Sequence, residues 1–160
     1  KGILSPILET SVNFVNAPSL AAERNIAVRE VKAKAAGDYA GTITVKTKTD
    51  KGENKVCGAL FGDSARIIEI DGFRVDVDPH KRVLVFPHIN RPGVIGKVAT
   101  LMCEANVTIA GMAVGETDVK GTNIMVLTVD DPVSAETLQK VTALDGIFDA
   151  KTVDFTVINN

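Results

Sequence analysis

Between Val83 and Val157 the hydrophobic period switches between strand and helix in an order that few folds satisfy. Val83-Leu84-Val85-Phe86 reads as a buried strand, broken by Asn90-Arg91-Pro92-Gly93. Val94, Ile95, Val98, Leu101, Met102 and Ala105 then recur at helical spacing and give one apolar face. Val107–Val114 reads as a strand with Gly111 inside it, Asp118–Gly121 as a turn, and Ile124–Val129 as a strand apolar on both faces. Asp131-Pro132 sets a second helix start, with Asp131 as cap and Pro132 as first helical residue. Leu138, Val141 and Leu144 face inward on that helix. Val153, Phe155 and Val157 alternate with Thr152, Asp154 and Thr156 in a last strand. The order β-α-β-β-α-β predicts a ferredoxin-like unit, an antiparallel four-stranded sheet with both helices on one face.

The first half follows a different pattern. Asn16-Ala17-Pro18 starts a helix that runs through Leu20–Ala22 and stops near Asn25. Ile26, Val28 and, after a slip, Val31 suggest a strand. Thr42–Thr47 alternates cleanly with Ile43 and Val45 on one face. Asp50–Glu53 is a turn, Val56–Phe61 and Ile67–Ile70 are strands, and Asp71-Gly72 is a hairpin signal that leads into Phe73–Val77. Asp78–Lys81 reads as a linker, because Pro79 cannot donate to a ladder. The expectation is an α+β chain of two domains. Residues 1–80 form a small, mostly antiparallel β domain with an N-terminal helix, and residues 81–160 form the ferredoxin-like unit.

Composition narrows the function. Lys+Arg is 18 against Asp+Glu 20, and aromatics are 4% of the chain, so neither a basic surface nor stacking platforms for bases are available. No nucleic-acid partner is expected. No apolar run approaches a membrane-spanning length, and Lys1-Gly2-Ile3-Leu4 does not read as a signal peptide. With no initial Met, the chain reads as a piece of something longer, or a processed or engineered product. Cys57 and Cys103 are far apart and unaccompanied by histidines, so no metal site is expected; such sparse cysteine use fits a reducing cytoplasm. Cys103, beside the apolar helix stripe, is expected to be packed. No GxGxxG or GxxxxGK[ST] loop and no GxSxG elbow occurs. The isolated chain is therefore expected to hold no cofactor and no catalytic residues.

The segment His88–Val94 joins a strand end to a helix start. Free N–H groups there, with the helix dipole, favour a carboxylate or phosphate. Gly93 lets a ligand approach the backbone, Val94 contributes an N–H, and His88 and Asn90 add side-chain partners, so a small amino acid suits it. The same residues also read simply as Pro-Gly starting a helix. Arg66, Arg74, Lys81 and Arg82 could gather into an anion site where the halves meet, or be solvated surface charge.

His88–Val98 (HINRPGVIGKV) followed by Ala105–Met112 (ANVTIAGM) resembles an ACT domain. Val12–Pro18 (VNFVNAP) and Arg66–Phe73 (RIIEIDGF) resemble the intervening domain of long-form D-3-phosphoglycerate dehydrogenases. The resemblance covers essentially the whole chain and implies the C-terminal regulatory part of such an enzyme, without its catalytic and NAD-binding domains. It further implies a parent activity of NAD-dependent oxidation of 3-phosphoglycerate in L-serine biosynthesis, with NAD the cofactor of the parent and none here. ACT domains of this family pair side by side and bind L-serine at the interface as feedback. His88 and Asn90 match serine-contacting positions; the third polar contact, an Asn in some members, is Thr108 here. The alternative is a structural assembly module whose ACT ligand site does not function, which the Thr at 108 favours.

Overall fold

The computed structural model describes residues 1–32, 39, 41–117 and 121–156. The chain divides into two compact units, Lys1–Ala35 and Ala36–Asn160. In the first, Leu4, Val12, Ala17 and Ala21 make a small core flanked by Leu8 and Leu20. Helix α1 (Ala17–Ala22) carries Pro at its start, where the missing N–H has no intrahelical acceptor to lose. Asn16 does not cap that helix. Its side-chain oxygen accepts from Asn13 N at 2.8 Å and its amide donates to Ser11 O at 2.9 Å. Asn25, at φ 56°, ends the helical stretch where expected. The strand expected over 26–31 does not form. Alternation specifies which side chains share a face, but a strand also needs a ladder partner.

In the second unit β1 (Thr42–Thr49), β2 (Gly52–Phe61), β3 (Ser64–Ile70) and β4 (Phe73–Val77) form an antiparallel meander in sequence order. Asp71 and Gly72 both take positive φ, 49° and 87°, between β3 and β4, as a two-residue hairpin turn requires. The second sheet contains β5 (Arg82–Ile89), β6 (Ile109–Gly115), β7 (Thr122–Val129) and β8 (Lys151–Asp154), in the order β6-β7-β5-β8 and antiparallel throughout. With α2 (Val94–Glu104) and α3 (Ala135–Thr142) this is the βαββαβ arrangement the periodicity predicts. Asp118–Lys120 of the expected turn and Val157 of the last strand lie outside the described residues.

β5, expected as a buried strand, and β7, expected to be apolar on both faces, occupy the two central positions of this sheet and are covered on both sides. On the helix side, Leu84, Phe86, Met125 and Leu127 pack with Val98 and Met102 of α2 and Val141 of α3. On the other side, Val83 and Val126 pack with Val77, Ile67, Ile70 and Val75 of the first sheet. The sheet is thus covered on both faces. The second helix differs from expectation at its start. Ser134, at ψ 154°, is the cap and accepts from Thr137 N at 3.1 Å. Asp131 instead accepts from Thr108 N at 3.5 Å, so Asp131-Pro132 belongs to the approach rather than the first turn. Cys103 is exposed, not packed, because the buried face of α2 is Val94, Val98 and Met102, one residue short of it.

Candidate functional site

At the end of β5 the chain must turn from the sheet into α2. Gly93 makes that turn at φ 89°, a value that favours glycine over any residue with a Cβ. As cap of α2, Gly93 offers its carbonyl to Lys97 N at 3.1 Å. The N–H groups of Ile95 and Gly96 fall in the first turn, where no intrahelical acceptor exists. No acidic side chain occupies that turn. The result is a short row of donors at the positive end of an eleven-residue helix. Val94 does not supply the free donor expected of it: its N–H donates to Arg91 O at 3.4 Å, closing the turn, and its side chain is buried in the core.

His88 lies directly before this turn and is 2% exposed. Its Nδ1 is 2.9 Å from Ile89 O. A carbonyl oxygen can only accept, so Nδ1 donates, and in the neutral ring Nε2 is left with a bare lone pair. Nε2 is buried and has no partner. Asn90 is exposed; its backbone N–H donates to Gly121 O at 3.0 Å, which leaves its side chain beside the turn.

Sequence reasoning missed the clamp that holds this segment. The loop after α3 passes along the end of β5: Ile89 N donates to Gly146 O at 2.8 Å and Phe148 N to Pro87 O at 3.1 Å. Arg91 Nη2 meets Asp145 Oδ2 at 2.5 Å, and that guanidinium hydrogen bond holds the Asp145 carboxyl below its ordinary range. Gly146, at φ 95°, permits the approach. Only the DG pair at 145–146 hinted at a tight turn; its position against β5 is a tertiary fact. Also missed was Asn123, which faces His88 directly across the β5–β7 ladder and is 6% exposed.

The structure does not bring Thr108 to His88 within one chain. Thr108 O accepts from Asp130 N at 3.2 Å, beyond the end of β7 where Val129 pairs with Arg82. His88 pairs with Asn123 at the other end, roughly 20 Å away at the rise of a strand.

The four basic residues also separate. Arg66 Nε bonds Asp76 Oδ1 at 2.6 Å, which raises the Arg66 pKa. Arg82 Nε bonds Asp154 Oδ2 at 2.9 Å and Arg82 Nη1 bonds Asp130 O at 3.1 Å. Arg74 donates its backbone N–H to Glu116 O at 3.3 Å. Arg66 and Lys81 line one cleft, of about 290 Å³, over the back of β6 and β7, and neither Arg74 nor Arg82 lines it. Asp76 and Asp78 line it as well, so its charge is balanced. His80 hydrogen-bonds Asp78 and holds that carboxyl below its ordinary range. Among the described residues no group of three metal-ligating side chains occurs, and no helix is long and apolar enough to cross a membrane.

Residues 1–71 match the family described as the D-3-phosphoglycerate dehydrogenase intervening domain, and residues 82–146 match the ACT domain. Among curated proteins, the chain is 38% identical over 156 residues to a D-3-phosphoglycerate dehydrogenase of Archaeoglobus fulgidus, covering 96% of this chain and 30% of that protein. It is 41% identical over 154 residues to the enzyme of that name from Synechocystis, covering 96% and 28%. To that of Bacillus subtilis it is 31% identical over 156 residues, covering 96% and 29%. The chain therefore spans less than a third of the length of these relatives.

Proposed function

Because this chain belongs to the D-3-phosphoglycerate dehydrogenase family, carrying its intervening domain followed by an ACT domain, we propose that it is the regulatory, ligand-binding and self-associating portion of such an enzyme and that it senses L-serine. The parent reaction would be NAD-dependent oxidation of 3-phosphoglycerate in serine synthesis, with NAD bound by the parent's other domains. The observation that carries this reading is the unpartnered, buried Nε2 of His88 beside the open first turn of α2. A buried acceptor without a partner is costly, and a small polar ligand with a donor supplies one. The ligand carboxylate sits on the first-turn N–H groups, and its ammonium donates to the Asn90 side-chain oxygen.

Self-association follows from β6, an edge strand of the second sheet. Met112 and Val114, partners of Leu127 and Met125 on the helix side, are 43% and 39% exposed there. Such an edge invites a copy of itself. Antiparallel pairing of β6 with its twofold mate sets residue 109 of one copy beside residue 115 of the other. Thr108 then approaches the effector end of the partner, which a single chain does not allow.

Calorimetric titration with L-serine tests the proposal. Asn90→Ala should weaken binding roughly ten- to a hundredfold, the worth of one charge-assisted hydrogen bond. Thr108→Asn should tighten it if the partner's site is within its reach. No binding to the wild type at millimolar serine, and no rescue by Thr108→Asn, would leave the second reading, a purely structural assembly module, favoured by the shorter side chain at Thr108.

A further inference from the structure

We propose that Asn123, with His88, reads the side-chain hydroxyl of the bound amino acid and so sets the specificity of the effector site. The inference rests on the reading of the His88–Gly93 turn as an amino-acid site and goes further, to a residue outside that turn and on another strand.

Three polar or charged residues of the described chain are buried: His88, Asn123 and Thr137. Thr137 is accounted for, since its hydroxyl lies 2.9 Å from Ser134 Oγ. The other two stand directly opposite each other on β5 and β7. Direct neighbours on an antiparallel pair share a face, with Cβ atoms about 4.5–5.5 Å apart. The face is the helix side. Phe86 and Met125, two pairs along the ladder, point into the helix-side core, and the strand period of two returns His88 and Asn123 to it. The pair therefore closes the core at the end where α2 begins.

Both side chains have unused hydrogen-bonding capacity. Nε2 of His88 is an acceptor without a donor. Asn123 is 6% exposed, and no side-chain hydrogen bond holds it among the described residues. Of the pair, His88 carries the cost, since its Nε2 is a buried polar atom without a partner. A hydroxyl is the group that satisfies both at once: its proton goes to His88 Nε2, and its oxygen accepts from the Asn123 amide. A ligand side chain ending in a methyl satisfies neither. The ligand class is therefore a small amino acid with a β-hydroxyl, and Asn123 supplies the donor that separates it from alanine.

Wild type is titrated calorimetrically with L-serine, L-alanine and glycine, alongside Asn123→Leu and Asn123→Ala. Serine should bind about tenfold or more tighter than alanine, because a site built to hydrogen-bond a hydroxyl rejects the analogue that lacks it. Asn123→Leu should erase that gap while leaving alanine affinity unchanged. The nitrogen resonance of His88 Nε2 should move with serine and not with alanine. If serine and alanine bind wild type equally, the amino-acid site stands and this inference falls. If neither binds, both fall. If Asn123→Leu weakens serine and alanine alike, Asn123 is structural and the inference falls. Should Asn123→Leu fail to fold, the wild-type comparison and Asn123→Ala decide in the same way.

Discussion

Gly146 runs so close to Ile89 that a Cβ placed on it would lie 2.6 Å from Ile89 Cγ2 and 3.3 Å from Val94 Cγ2. The residue after Asp145 therefore touches both the end of β5 and the start of α2, the two elements that frame the candidate site. Gly146→Ala adds that clash to a backbone at φ 95°. It should cost about 1–3 kcal/mol of stability by overpacking and strain, read from urea unfolding. Ligand affinity should fall as well, because Ile89 N loses its seat on Gly146 O.

A similar approach joins the two sheets of the larger unit. A Cβ on Gly115 would meet Arg74 O at 2.6 Å and Ile124 Cγ2 at 2.8 Å. Beside it, Arg74 N donates to Glu116 O at 3.3 Å. Gly115→Val should force β4 away from β6, lower stability by about 1–3 kcal/mol and speed amide exchange of β4 more than that of β8. Equal effects on both strands would place the strain elsewhere.

Charge on the exposed edge should prevent pairing. In the double variant Met112→Lys/Val114→Lys the like charges of two copies would face each other across the β6 seam. Light scattering should show the monomer of 16.9 kDa where wild type is larger. Far-ultraviolet circular dichroism should be unchanged, since both side chains are already partly exposed.

The junction of β5 and β8 should show in acid. The Asp154 carboxyl lies below its ordinary 3.8, first because the Thr156 hydroxyl donates to it, with further help from Thr156 N–H and the Arg82 guanidinium. A carboxyl lowered in the folded state contributes stability that is present above its unfolded pKa and lost as pH falls through the folded value. Wild-type Tm should therefore decline below about pH 4. Asp154→Asn should start lower at neutral pH and decline less over that range. Parallel Tm curves for the two proteins would sink the assignment.

Much of the fold was legible because period and turn chemistry are local. The 3.6-residue spacing of Val94, Val98 and Met102 gave α2, and Asp71-Gly72 gave the β3–β4 hairpin. Asp131-Pro132 predicts a cap at Asp131, because Asp followed by Pro is a good local helix start. Ser134 caps the helix instead, its hydroxyl accepting from Thr137 N, while the Asp131 carboxylate accepts from Thr108 N. The Ile26–Val31 alternation was real as pattern and absent as strand, since a ladder depends on a neighbour that spacing cannot supply.

The sequence by itself determined the order of elements in the ACT half, the apolar faces of its helices, and the strand-to-helix turn at Asn90–Gly93. Those follow from backbone sterics and side-chain period, which act within a few residues. Tertiary structure alone decided that Asn123 faces His88, that Gly146 clamps Ile89, that Thr108 lies at the far end of the sheet, and that Arg66, Arg74, Lys81 and Arg82 do not share one site. Each of these is a matter of register between strands or of packing between segments far apart in the chain. A one-residue change of register would turn Asn123 to the other face, and nothing near position 123 in the sequence records which register the sheet adopts.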